Sequence, residues 1–316
     1  MAITDDTRTR FTGLSAFPLT PLRDDRVDEA AFAGLVDRLQ RAGVDSITAL
    51  GSTGAFAYLG AEERARVARI AVEHAGATPV FVGVSALSTS QVLAHVEAAE
   101  AAGAAGLLLA PMTYQPLTEH DVFELFRTVT ERTALPVIVY DNPTTTHFSF
   151  STELVARIAA LPGIASIKIP SVPLEPGAAE QRVAEVRAAV PAHVTIGVSG
   201  DASAASALAA GCDAWYSVIA GTLPEPALEI ARAARAGRFA DARAASDRLA
   251  PLWALFAELG GSFRVIAAIA EHRGLAPARC LPLPIQGLTA EQRERVAAVI
   301  AELGLDRDRE LGDVGV

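Results

Sequence analysis

The chain alternates between two textures. Short runs rich in Val, Ile and Leu, apolar on both faces, each precede a longer run rich in Ala, Arg and Glu. Two-faced apolarity over four to seven residues predicts strands of a parallel sheet buried on both sides. Strands are expected over 13–19, 46–50, 79–84, 106–110, 136–140, 164–169, 194–198 and 214–218. The intervening segments 29–42, 61–75, 89–102, 119–132, 152–160, 178–189, 203–210 and 224–235 are expected to be helices. Eight strand–helix units are the count of a (β/α)8, or TIM, barrel, an α/β fold of typically ~250 residues. A doubly wound open sheet is the alternative, but it carries a Gly-rich turn after its first strand. Here the glycine-bounded turn Gly51-Ser52-Thr53-Gly54 follows the second strand and lacks dinucleotide spacing.

After Gly237 the alternation stops. Segments 240–259, 263–273 and 290–303 are expected to form three helices with no strand between them. The reading is therefore an N-terminal tail (1–10), a barrel (11–237) and a C-terminal helical region (238–316), with polar, frayed residues from Asp306 onward.

Composition narrows the function. Of 316 residues 51% are hydrophobic, which excludes a disordered chain, and the net charge of −10 argues against nucleic-acid or anionic-membrane partners. No apolar run approaches the roughly 20 residues of a membrane span, and the polar first ten residues make no signal peptide. Cys212 and Cys280 are too few for a disulfide framework or a zinc motif and fit reduced thiols in a cytoplasmic protein. The six histidines show no metal-ligand spacing, so no metal is expected.

The most informative count is that of lysine. Lys and Arg total 27, and Lys168 is the single lysine. Such a skew toward arginine leaves lysine where arginine cannot serve, because a buried lysine can lose its proton and arginine cannot. Lys168 lies inside Ile164-Ala165-Ser166-Ile167-Lys168-Ile169, an apolar strand pattern that is an unusual place for a solvated cation. An amine of ordinary pKa ~10.4 is neutral in roughly one molecule in 2,500 at pH 7. Burial that lowered it by ~3 units would cost about 4 kcal/mol and yield a nucleophile. Chance retention is the bland alternative.

Barrel chemistry sits at the C-terminal ends of strands. There the second strand offers Ser52 and Thr53, suited to a carboxylate or equally to an ordinary cap. The fourth is followed by Met112-Thr113-Tyr114, the fifth ends in Tyr140-Asp141-Asn142-Pro143 with Thr144 to His147 beyond, the seventh in Ser199-Gly200-Asp201, and the eighth carries Tyr216. A buried lysine with a tyrosine on the preceding strand points to Schiff-base chemistry with a phenol as proton shuttle.

Taken together, Gly51-Ser52-Thr53-Gly54, Tyr140 with Asn142-Pro143, Ile167-Lys168 and Ser199-Gly200-Asp201 make the chain resemble the dihydrodipicolinate synthase / N-acetylneuraminate lyase family of class I, Schiff-base aldolases and lyases. The resemblance runs from Gly13 to about Leu303. It implies a barrel with a C-terminal helical region, assembled as a homotetramer, a dimer of dimers. It implies that Lys168 forms the imine with pyruvate or another 2-keto acid, that no external cofactor is used, and that Tyr140 shuttles protons. Ser52 and Thr53 would hold the keto-acid carboxylate, with Thr53 a further proton relay. Gly200 and Tyr216 would line the site through their loop and backbone, and Thr113 or Tyr114 would replace the family's loop tyrosine.

Departures bear on the second substrate. Ala55 replaces the usual Glu of the Gly-x-Thr-Gly turn, and Ile169-Pro170-Ser171 replaces the residues that usually follow the lysine. Thr145 stands where the synthase has the arginine that grips its aldehyde partner, and Ala202 and Ser203 replace the acidic pair of the sialic-acid enzymes. The expectation is an imine-forming lyase whose altered second pocket is lined by Thr144, Thr145, Thr146 and His147, acting by aldol cleavage, condensation or dehydration on an unassigned partner. The alternatives are the family's namesake synthase reaction, pyruvate plus aspartate semialdehyde, and a non-catalytic keto-acid-binding barrel.

Overall fold

The structure, a computed structural model, describes residues 4–306 apart from Pro176. Among them eight parallel strands close into a barrel: β1 (Gly13–Ala16), β2 (Ser46–Ala49), β3 (Val80–Gly83), β4 (Gly106–Leu109), β5 (Val137–Tyr140), β6 (Ile164–Ile169), β7 (Thr195–Val198) and β8 (Ala214–Ser217). Each strand pairs with the next in sequence, and β8 closes on β1. The helices α1 (Glu29–Ala42), α2 (Ala61–His74), α3 (Thr89–Ala102), α4 (Glu119–Arg132), α5 (Thr152–Ala159), α6 (Ala178–Ala189), α7 (Ala204–Ala209) and α8 (Pro224–Arg235) follow the strands in turn.

Local chemistry sets the helix ends. Side-chain oxygens of Asp28, Ser88, Thr118 and Ser151 accept from the free N–H groups of Ala31, Gln91, Asp121 and Leu154, satisfying donors that the helix itself cannot. Gly43 and Gly103 close α1 and α3 in the left-handed conformation.

The outward faces of the strands bury Ile47, Val82, Leu107, Val139, Ile167 and Ile196 beneath the helices. The barrel interior is a separate, more aromatic cluster of Phe11, Phe17, Phe81, Leu108, Ile138, Tyr140 and Tyr216. Phe11 and Phe81 stack with centroids 4.6 Å apart. Polar interior groups satisfy one another: Ser15 Oγ lies 2.8 Å from Thr48 Oγ1, and the Tyr216 hydroxyl donates to Ser166 Oγ at 2.7 Å.

Beyond the barrel the C-terminal helices differ in number from expectation. Segment 240–259 is two helices, α9 (Phe239–Arg248) and α10 (Ala250–Glu258), followed by α11 (Ser262–His272) and α12 (Ala290–Glu302), so the extension has four helices among the described residues. Pro251, in the first turn of α10, lacks the N–H that a continuous helix would need. The N-terminal tail holds a short helix, Asp5–Thr9, capped by the Thr4 hydroxyl. A small hairpin, Leu22–Arg23 with Arg26–Val27, turns through Asp24 and Asp25 at positive φ. The fraying expected from Asp306 onward concerns residues that, Asp306 aside, lie outside the described ones.

Candidate active site

One irregularity in strand pairing builds the site. Between β5 and β6, Val137 pairs with Ile164, but the next pair is Ile138 with Ser166. The extra residue, Ala165, shifts the register so that Tyr140 stands beside Lys168. Because strand side chains alternate in direction, the shift also turns Ser166 and Lys168 to the interior while Ile164 and Ile167 join the outer core.

Lys168 is 2% exposed. Its Nζ lies 3.8 Å from the centroid of the Tyr140 ring and 4.8 Å from that of Phe17. Burial pushes the amine below the ordinary lysine range, while the Tyr140 phenol and the Asp201 carboxyl favour the charged form without restoring it. Burial pushes the Tyr140 phenol up, but the Lys168 charge and hydrogen bonds with Ser52, Asn142 and Lys168 outweigh it and hold the phenol below its ordinary value. Asn142 Nδ2 donates to the phenol oxygen at 2.8 Å, and Ser52 Oγ lies 3.4 Å from it. A buried amine inclined to be neutral beside a phenol inclined to ionise can pass one proton between them.

Ser52 and Thr53 sit in the turn after β2, bracketed by Leu50 and Ala55, both at positive φ. Holding two non-glycine residues in that region stores local strain, a mark of functional turns. Thr53 is buried. Asn142 Nδ2 also donates to Thr145 Oγ1 at 3.1 Å, so Thr145 reaches the phenol through Asn142. Thr113 Oγ1 donates to the Thr146 carbonyl at 3.1 Å, tying the loop after β4 to the turn after β5. Gly200 packs against Ser171, whose Oγ would lie 1.9 Å from an added Cβ, so any side chain there would jam the mouth.

Other expected residues stand apart. Tyr114 is 86% exposed, and His147 is exposed on the rim in the left-handed conformation. The Tyr216 ring fills the barrel interior and its hydroxyl is occupied by Ser166, with burial raising its pKa. Three residues had no assigned role from sequence: Asn142, Phe17 and Asp201. Asp201 accepts from Trp215 Nε1, Ser217 Oγ and the N–H groups of Val218 and Ile219 at 2.9–3.2 Å, yet burial pushes its carboxyl up to about 6. Asn142 and Asp201 lie within the quoted motifs. Phe17 immediately follows β1, so the strand-end rule applied to the first strand would have found it. Among the described residues no group of three or more His, Cys, Asp or Glu could hold a metal ion.

Closed parallel barrels with the reactive groups at the C-terminal strand ends are an enzyme architecture, and this chain is of the class I, aldolase-type lyases. A model of the dihydrodipicolinate synthetase family matches residues 10–303, and the chain belongs to that family. It is 32% identical over 302 residues to the 4-hydroxy-tetrahydrodipicolinate synthase of Gluconacetobacter diazotrophicus, covering 94% of this chain and 98% of the relative. It is similar to the crystal structure of a dihydrodipicolinate synthase from Agrobacterium tumefaciens, with 44% identity, TM-score 0.90, and coverage of 94% of this chain and 100% of that one. It also resembles a prophage protein of the same family from E. coli K12 in complex with pyruvate, with 26% identity, TM-score 0.85, and coverage of 93% and 99%.

Proposed function

We propose that Lys168 condenses with pyruvate or another small 2-keto acid, and that the imine drives aldol cleavage, condensation or dehydration on a second substrate. The pairing of Lys168 with Tyr140 across β5 and β6 carries this reading. The neutral Nζ attacks the C2 carbonyl. The carbonyl oxygen takes a proton from the Tyr140 hydroxyl, which recovers one from the nitrogen. A further proton converts the C2 hydroxyl to water, which leaves as the C2=Nζ iminium forms. The net change is uptake of one proton and loss of one water.

The iminium draws electrons from C3, whose proton leaves to give an enamine. The enamine either attacks an aldehyde, forming the C3–C4 bond, or expels a C4 hydroxyl that departs as water after protonation. Cleavage runs the first route backwards. Ser52 and Thr53 hold the keto-acid carboxylate, a role supported by the contact of Ser52 with the Tyr140 phenol. The electron sink is made on the chain's own lysine, so the reaction needs no external cofactor. The turn from Thr144 to His147, which Thr113 reaches, lines the second pocket, with His147 at its exposed rim.

The relative's name favours a second reading, in which the partner is aspartate semialdehyde. We further place the protein in the cytoplasm, consistent with its two free, buried cysteines, and as a homotetramer built from dimers.

The test is reductive trapping. Borohydride with pyruvate should add one reduced pyruvate to Lys168, located by peptide mass spectrometry. Lys168→Arg should abolish both the adduct and turnover, because guanidinium keeps its proton. Unmodified Lys168 with pyruvate and with larger 2-keto acids would refute the imine. Turnover of the trapped-competent enzyme with aspartate semialdehyde against other aldehydes separates the two partner readings.

A further inference from the structure

Phe17 has no place in the chemistry above, yet the barrel makes room for it at two glycines. It follows β1, is 2% exposed, and presents its ring 4.8 Å from Lys168 Nζ. A Cβ on Gly51 would lie 2.6 Å from Phe17 Cδ1, so only glycine at the head of the Ser52–Thr53 turn lets the ring lie there. A Cβ on Gly221 would lie 2.1 Å from the Phe17 carbonyl oxygen, which fixes the backbone on its other side. Tyr216 meets the ring edge-on at 6.0 Å and 79°. The nitrogen of Lys168 thus has aromatic rings near it from two strands, Phe17 after β1 and Tyr140 on β5. Among the described residues the charges that reach it are those of Tyr140 and Asp201.

We propose that Phe17 is a positioning residue whose ring steadies positive charge on Lys168 Nζ, first in the ammonium and then in the iminium. The inference rests on the imine reading of the previous section. An aromatic ring attracts a cation through its quadrupole, most strongly where water is excluded. The neutral amine gains nothing from it. The ring therefore has a signature that packing alone lacks. Below the pKa of Lys168 the free amine and the iminium both carry a charge, so the contribution of the ring cancels. Above it only the product is charged, and the ring favours imine formation.

The experiment is the pH dependence of pyruvate trapping on Lys168 in wild type, Phe17→Leu, Phe17→Met and Phe17→Tyr. Leucine and methionine fill apolar space without a π face, and two such variants guard against a single folding failure. Tyrosine keeps the face. The pyruvate concentration giving half-maximal adduct should rise about tenfold on the alkaline side in the Leu and Met variants and stay unchanged on the acid side. The pH at which affinity begins to fall should move down by about one unit. Phe17→Tyr should restore the wild-type profile. Equal profiles in all variants overturn the proposal, and a uniform loss at every pH does so as well, since it reports packing. Absence of any adduct in wild type overturns the imine reading itself and this inference with it.

Discussion

The carboxyl of Asp141 is buried, and its Oδ1 has no hydrogen-bond partner. Burial pushes it up to about 6 against the opposing pull of Arg182. Its folded pKa exceeds the unfolded value of 3.8, so the native state prefers the protonated acid. That preference stabilises the fold fully below pH 3.8 and is lost as the pH rises through about 6. Asp141→Asn should therefore raise stability at pH 8 by about 1–2 kcal/mol, after allowance for solvent screening. Near pH 3.5 the same change should be close to neutral. Thermal unfolding at the two pH values decides it, and a lower midpoint at pH 8 would count against the argument. At this scale the sequence was readable where chemistry made a residue rare. Lys168 stood out as the single lysine and Tyr140 as the polar end of an apolar strand. The burial of Asp141 was not readable, because an acid beside Asn142 and Pro143 looks like any solvated turn.

Elements show the same division between local and distant causes. Helix boundaries such as Glu29–Ala42 and Thr89–Ala102 match expectation because their caps lie within a few residues. The one-residue shift at Ala165 could not be read, because it is defined only by the partner strand. Without it Lys168 would face the helices. Between β7 and β8 packing is equally tight: a Cβ on Gly197 would lie 2.3 Å from Tyr216 Cε2. Gly197→Ala should cost about 1–3 kcal/mol, since the Tyr216 ring is locked by Ser166 and cannot yield. Combined with Tyr216→Leu the cost should be less than the sum of the two single changes, by about 1 kcal/mol. Denaturant unfolding of the four proteins in this cycle measures the coupling, and strict additivity would contradict the clash.

Across the whole molecule the loops after β3 and β4 leave Leu87 and Tyr114 61% and 86% exposed at the barrel mouth. Met112, Leu117 and Leu125 lie beside Leu87 around a cavity of about 300 Å³. Large apolar side chains left in water together mark a contact surface, which the proposed tetramer would cover. Leu87→Glu should therefore yield a smaller species in light scattering while the wild type runs as the tetramer. An unchanged mass for the variant would move the interface elsewhere. The same loops hold Tyr114 away from Lys168 of its own chain, with its side chain in solvent.

The sequence by itself determined the repeating strand–helix order, the count of eight and most helix ends, and it singled out Lys168 as the candidate amine. Strand order and helix ends rest on spacing and caps within a few residues, and Lys168 stood out by being the single lysine of the chain. Tertiary structure decided what depends on closure. It placed the lysine inside by shifting β6 against β5, and it put the Phe17 ring beside the same nitrogen through glycines 34 and more than 200 residues away. It also made a core group of Tyr216. A barrel brings the ends of distant strands to one mouth. The neighbours of a side chain there are set by register and ring closure, which no short stretch of sequence contains.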